Sequence, residues 1–181
     1  MDIAQANSGA KFEKDDYLVY GTAGVCQLID IEMRCFDGKN KNDYFKLIPM
    51  QSIKSTYYVP VNKSHGKLRK LLSKDEVYAL IDALPMEEVV WSENARERKM
   101  MFDEILKGGD YEKILAMLRT LYNHQKKRIE LGKKLMAYDE TTMRTAELLI
   151  YQEFSFVLGI PEESVEAFIT DRVNENAALE S

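Results

Sequence analysis

Trp91 is the only tryptophan in the chain, and Arg96, Arg98 and Lys99 follow it within two helical turns. An apolar ring flanked by cations suits a wedge against a partly unstacked base pair, with the cations on phosphates. A helix starting near Trp91 would add its N-terminus, which favours an adjacent phosphate. Further on, Arg119, Lys126 and Lys133 recur at seven-residue spacing, which places them on one face of a continuous helix. Lys127, Arg128 and Lys134 broaden that face. At 1.5 Å per residue the strip would run roughly 20 Å, enough for duplex phosphates to lie along it. Plainer readings stand beside these. Trp91 would also serve as a core anchor, and the cations as a solvated face laced with Glu97 and Glu130.

Catalytic patterns are missing. The chain has no GxxxxGK loop, GxGxxG, HExxH or GxSxG, the spacings that cradle phosphates, bind dinucleotides, hold zinc or expose a nucleophile. His65 and His124, the only two histidines, fall in different expected domains. No serine or cysteine has a base at a recognisable spacing. Two cysteines, Cys26 and Cys35, are too few for a disulfide framework, and there is no CxxC for zinc. The reading is therefore a protein that is not an enzyme and needs no metal or cofactor.

Charge is distributed unevenly. The total is -5 over 181 residues, but residues 139–181 alone contribute -8 and the rest carries +3. The acidic excess thus belongs to the last quarter, and a phosphate-facing surface would lie before it. No run of about 18 apolar residues is present, so no membrane span is expected. Met1 to Ala10 is polar and lacks an apolar signal core. A cytoplasmic location follows as the expectation.

The elements that must position these residues change character along the chain. Tyr17–Tyr20, Val25–Met33, Tyr44–Ile48 and Ser55–Val61 have β-rich composition, with an imperfect β-like alternation in Val25–Met33. Gly21, Gly24 and the Asp37-Gly38 pair punctuate them. Four or five short strands in about 60 residues are too few for a sandwich and suit a small, strongly bent barrel. The last strand ends near Pro60, which has no N–H for a ladder, and so reads as an edge, either open to main-chain pairing with a partner or merely protected by the proline. Between about residues 62 and 73 the apolar period lengthens to that of helices.

Ser73 and Glu76 form a capping box for a helix with Val77, Leu80, Ile81 and Leu84 inward, stopped by Pro85. Ser92 is the expected cap of a second helix with Ala95, Phe102, Ile105 and Leu106 inward, ended by Gly108-Gly109. Asp110 caps a long helix whose buried side is Tyr111, Ile114, Leu115, Leu118, Leu121, Tyr122 and Ile129. A break is expected near Asp139-Glu140-Thr141. Another stripe, Ala146 to Leu158, closes at Gly159. Pro161 opens a last helix with Val165, Phe168, Ile169 and Val173 inside, fraying beyond Asn174. The fold class is α+β, a small N-terminal β-barrel over residues 11–68 followed by a compact all-helical domain over residues 73–174.

The segment KFEKDDYLVYGTAGVCQLIDIE, residues 11–32, resembles the opening of the bacterial CarD/CdnL transcription regulators. Tyr57-Tyr58-Val59-Pro60-Val61, Leu68-Arg69, Trp91-Ser92 and Gly108-Gly109-Asp110 follow in that family's order, so the resemblance extends to about residue 160. It implies a Tudor-like barrel that binds the β subunit of RNA polymerase, with Ser55, Thr56, Tyr57, Tyr58 and Val59 as the polymerase-facing strand. It implies a helical domain on promoter DNA at the upstream edge of the bubble. There Trp91 matches the family's wedge in the minor groove, and the open promoter complex is stabilised. Arg96, Arg98, Lys99, Arg119, Lys126, Lys127 and Lys133 are the cations assigned to DNA. The protein would then associate with the nucleoid through polymerase; the sequence favours a monomer but leaves a dimer or domain-swapped form open.

Three positions depart from the family pattern. Asp15-Asp16 replaces a Gly-Asp pair, Tyr58 stands where a basic residue is usual, and Glu93 and Asn94 follow Trp91-Ser92 where basic residues are common. The last of these motivates an alternative, a polymerase- or protein-binding adaptor that does not engage DNA. A small enzyme in the helical domain would require a deep polar pocket with convergent titratable groups.

Overall fold

A computed structural model describes residues 12–36, 38–84 and 88–179. The expectations placed on Asp37 and Pro85 lie outside these residues. The chain divides into two compact units, one ending at Leu71 and the other beginning at Leu72.

The first unit is a five-stranded antiparallel sheet: β1 (Tyr17–Tyr20), β2 (Val25–Arg34), β3 (Asn42–Pro49), β4 (Tyr57–Pro60) and β5 (Leu68–Lys70). Its strand order is β4-β3-β2-β1-β5, so β4 is an end strand, as Pro60 suggests. The other end strand, β5, falls where the sequence indicates only a connection. Three residues carry no readable alternation, and Leu68 becomes a strand by pairing with Tyr20 across the sheet. Leu18, Cys26, Leu28, Phe45, Leu47, Val59 and Leu68 form the core. Burial pushes the Cys26 thiol up to about 11, which leaves it an apolar packing group rather than a nucleophile.

The Asp15-Asp16 departure has a structural answer. Asp15 adopts φ 72°, the left-handed conformation that a glycine takes freely and that Asp tolerates better than most residues. The Asp16 carboxylate accepts the Glu13 N–H at 2.9 Å. The Asp15 N–H donates to the Leu28 carbonyl at 2.7 Å, next to the irregularity in β2 between Leu28 and Asp30. Asp15 thus takes a left-handed turn conformation without a glycine.

The second unit is helical: α1 (Lys74–Asp82), α2 (Ala95–Gly108), α3 (Tyr111–Glu130), α4 (Ala137–Leu158) and α5 (Val165–Leu179). The Ser73 hydroxyl accepts the Glu76 N–H and Glu76 accepts the Ser73 N–H, closing the expected capping box. Asp110 caps α3, and Gly109 and Gly159 end α2 and α4 in left-handed conformation. Phe102, Ile114, Met117, Leu121, Ile150 and Phe154 are fully buried at the centre. Glu153, also fully buried, accepts the Leu72 N–H at 2.7 Å and the Tyr111 hydroxyl, fastening the first residue of the unit to α4.

Several helix boundaries differ from the sequence reading. Asn94, not Ser92, is the cap of α2: its side chain accepts the N–H groups of Arg96 and Glu97. Ser92 bonds Glu97 instead. Ala95 is exposed, and Arg98 takes the inward place. The break after α3 comes earlier than Asp139, at Leu131 and Gly132. Gly132 has φ 67°, and the Lys133 N–H turns back to the Arg128 carbonyl. Ile129, in that last turn, is 64% exposed rather than buried. At the other end α5 continues past Asn174, because Arg172 and Asn176 both bond Asp82 of α1.

Candidate functional site

In the sheet unit the residues of interest gather along β4. Ser55 is held in the preceding turn, its N–H on the Ser52 carbonyl at 2.8 Å. Thr56 and Tyr57 are exposed, and Tyr57 packs edge-on against Tyr20. Tyr58 lies opposite Lys46 in register. Its ring meets Phe36 at 5.3 Å and the Arg34 guanidinium at 5.5 Å. Val59 departs from its companions: at 1% exposure its side chain belongs to the core, so only its main chain is available at the edge.

β4 carries no cation, but Lys46 on the adjacent β3 and Arg34 at the end of β2 lie beside Tyr58. Glu32 accepts from Lys46 at 2.9 Å and from Arg34. These bonds, that from Lys46 first, hold the Glu32 carboxyl below its usual range, and Glu32 raises both cations. Arg34, Lys46 and Phe36 escape sequence reasoning, because strand register decides which side chains flank Tyr58. The alternation of β2 and β3 gives the face but not the pairing.

In the helical unit Trp91 is half-buried and held on several sides. The irregular segment before it is tied to α3: Thr120 accepts the Val89 N–H at 2.9 Å, and Asn123 donates to Glu88 at 2.6 Å. The His124 ring stacks on the indole with centroids 3.7 Å apart and planes 11° from parallel. The Arg98 guanidinium carbon lies 4.2 Å from the ring centroid. Two groups this close cannot share one face without overlap, so they take opposite faces. Phe102 meets the ring edge-on from the core. Val90, the adjoining residue, is 82% exposed.

Arg98 is the main correction to the expected basic surface. It is 3% exposed. Its Nε and Nη2 donate to the two carboxylate oxygens of Asp139 at 3.0 and 2.9 Å, and its Nη1 donates to the Ser92 carbonyl at 2.6 Å. A charge buried this deeply is retained only when paired and hydrogen-bonded. Arg98 is therefore an internal ion-pair partner that touches Trp91 and the Ser92 carbonyl, and is not a surface cation.

The other assigned cations do not form one strip. Arg96, Lys99, Lys126 and Lys127 are exposed. Lys99 is engaged by Asp103 at 2.9 Å and lies over the Tyr138 ring. Arg119 is half-buried and lines a cleft of about 360 Å³ with Tyr122, Tyr151, Ile169 and Val173. Lys133 lies beyond the end of α3, in the Gly132 turn, so the helical spacing fails there. The N-terminus of α2 is also less open than expected, because Asn94 occupies two of its N–H groups.

Charges around Trp91 are mixed. Burial, then Lys127, pushes the His124 imidazole below its ordinary value, with Arg98 acting the same way and Glu93 and Glu88 opposing. Among the described residues, no group of three or more His, Cys, Asp or Glu is placed to hold a metal ion. Among the same residues, no helix is long and apolar enough to cross a membrane.

Among the described residues β4 ends the antiparallel sheet of the first unit, and in the second unit Trp91 lies between His124 and Arg98. Residues 12–72 match the family model of the CarD-like/TRCF RID domain. Domains of that family are non-catalytic regulatory modules implicated in RNA polymerase interaction. The match covers the sheet unit and reaches the first residue of the helical unit. A comparison with curated proteins finds no significant match.

Proposed function

We propose that this chain is a non-enzymatic transcription regulator that binds the β subunit of RNA polymerase through its sheet unit. Its helical unit then contacts promoter DNA at the upstream edge of the bubble and stabilises the open complex. The observation that carries the reading is the RID match over the same residues that build the sheet and its edge strand β4. Main-chain pairing along Ser55, Thr56, Tyr57, Tyr58 and Val59 would extend the sheet into polymerase. Arg34 and Lys46 supply beside Tyr58 the positive charge that the strand itself lacks. The irregularity in β2 bends the strand, which supports a Tudor-like barrel as the form of this module.

In the helical unit Trp91 is the minor-groove contact at the bubble junction, with Arg96, Lys99, Lys126 and Lys127 as the exposed cations nearest the role. These contacts are modest, and tethering to polymerase makes modest contacts sufficient through effective concentration. A shift of 1.4 kcal/mol toward the melted promoter changes its population ratio about tenfold. The protein acts as a monomer, in the cytoplasm, on the nucleoid through polymerase.

One specific observation favours a second reading. Glu88 and Glu93 lie near the Trp91–His124 pair and Arg98 is withdrawn into the core, which suits an adaptor that binds polymerase or protein without touching DNA. Binding of the full chain to a fork-junction duplex, with polymerase present and over a salt series, separates the two. A salt-sensitive DNA contribution that Trp91→Ala reduces supports the promoter contact. A polymerase-bound chain with no such contribution supports the adaptor.

A further inference from the structure

The Trp91 ring is neither free nor fully buried. His124 covers one face at 3.7 Å, Arg98 covers the other at 4.2 Å, and Phe102 closes off its inner side. With both faces occupied, the exposed part of the indole is its edge. We propose that His124 of α3 and Arg98 of α2 are positioning residues that hold Trp91 edge-outward, so that it enters DNA as a rigid blade rather than as a stacking platform. The proposal rests on the reading of Trp91 as the promoter contact.

The supports of the clamp come from three helices. Arg98 is fixed by Asp139 at the start of α4 and by the Ser92 carbonyl. Thr120, one turn before His124 on α3, holds Val89. Lys127, three residues after His124 and so on the same helix face, is exposed. A base could stack on the indole only by displacing His124 or Arg98, and the buried Asp139 carboxylate opposes the second. Contact by the edge, with Val90 beside it, needs no rearrangement. Holding the ring before DNA arrives removes the ordering cost that a mobile side chain would meet on binding.

Trp91 is the only tryptophan, so its fluorescence reports the clamp directly. The full chain carrying His124→Ala is compared with His124→Phe, which keeps a ring to stack but cannot titrate. Thermal unfolding establishes that each variant folds. The measurements are acrylamide quenching and anisotropy of Trp91, affinity for polymerase, and lifetime of the polymerase–promoter bubble. His124→Ala is expected to expose and mobilise Trp91 and to shorten the bubble lifetime about threefold, the lower end of what an aromatic pair stabilises. Polymerase affinity should not change, and His124→Phe should restore both the restraint and the lifetime.

Unchanged quenching and anisotropy in His124→Ala would overturn the clamp. A mobilised Trp91 with an unchanged lifetime, in an assay where Trp91→Ala does shorten it, would overturn the positioning role. If Trp91→Ala itself leaves the lifetime unaltered, the promoter reading fails, and the clamp's role at DNA fails with it. The fluorescence alone then decides whether the clamp exists.

Discussion

Arg98 and Asp139 are 41 residues apart in sequence and form a two-pronged ion pair with side chains 4% and 1% exposed. This pair joins the start of α2 to the start of α4. It also sets the guanidinium under Trp91. A residue that looks like one more cation in a basic run thus becomes an internal brace.

Breaking one side of that brace is costly. Asp139→Leu leaves the Arg98 charge buried and unpaired, and the loss expected for such a change is about 3–5 kcal/mol. Replacing both partners by apolar residues of similar size recovers much of it. Chemical denaturation of the full chain, comparing Asp139→Leu with the Arg98→Met, Asp139→Leu double variant, checks this. A double variant no more stable than the single one would contradict it.

The position of His124 sets a pH dependence. Its pKa is lowered on folding, mainly by burial, so the unfolded chain binds the proton more readily. The stabilisation is complete above the unfolded value of about 6.5 and is lost as pH falls through the lower folded value. Trp91 fluorescence should titrate with a midpoint below that of an exposed histidine. His124→Phe should abolish this transition and flatten the urea midpoint between about pH 7 and about pH 5.

Asp15 carries a conformational cost that a glycine would relieve. A left-handed L-residue costs roughly 1–2 kcal/mol, somewhat less for Asp, and glycine returns part of any gain through the freedom of the unfolded chain. Asp15→Gly is expected to stabilise the protein by about 0.5 kcal/mol. Its side chain is exposed, so loss of packing should not mask the effect in a thermal or urea melt.

Adjacent residues of β4 should separate stability from binding. Val59→Ala removes buried methyl groups from the sheet core and should cost about 1–3 kcal/mol. Tyr58→Ala removes the ring beside Phe36 and Arg34. It should weaken polymerase binding about tenfold, as loss of an interface aromatic commonly does. Its effect on the melting temperature should be much smaller. Equal effects of the two variants on both measurements would place Tyr58 in the core role instead.

Local signals settled much of the architecture from sequence alone. The Ser73/Glu76 box, the Asp110 cap and the glycines at 109 and 159 act over one turn of chain, so their chemistry is legible without a fold. The ending of β4 at Pro60 is legible for the same reason, since a missing N–H limits pairing wherever the strand lies. The position of β4 at the end of the sheet was therefore readable.

What surrounds those residues depended on contacts between distant segments. Residue type does not encode which carboxylate folds beside a guanidinium, so Arg98 read as a surface cation until Asp139 was brought to it. His124 carried no motif, and only the packing of the Trp91 segment on α3 made it a partner of the indole. β5 exists because β1 was there to pair with it, and Arg34 and Lys46 reach Tyr58 through strand register. The sequence determined the change from strands to helices and the caps at Ser73 and Asp110. Tertiary structure alone decided which charges face solvent and which groups cover Trp91, because both follow from burial.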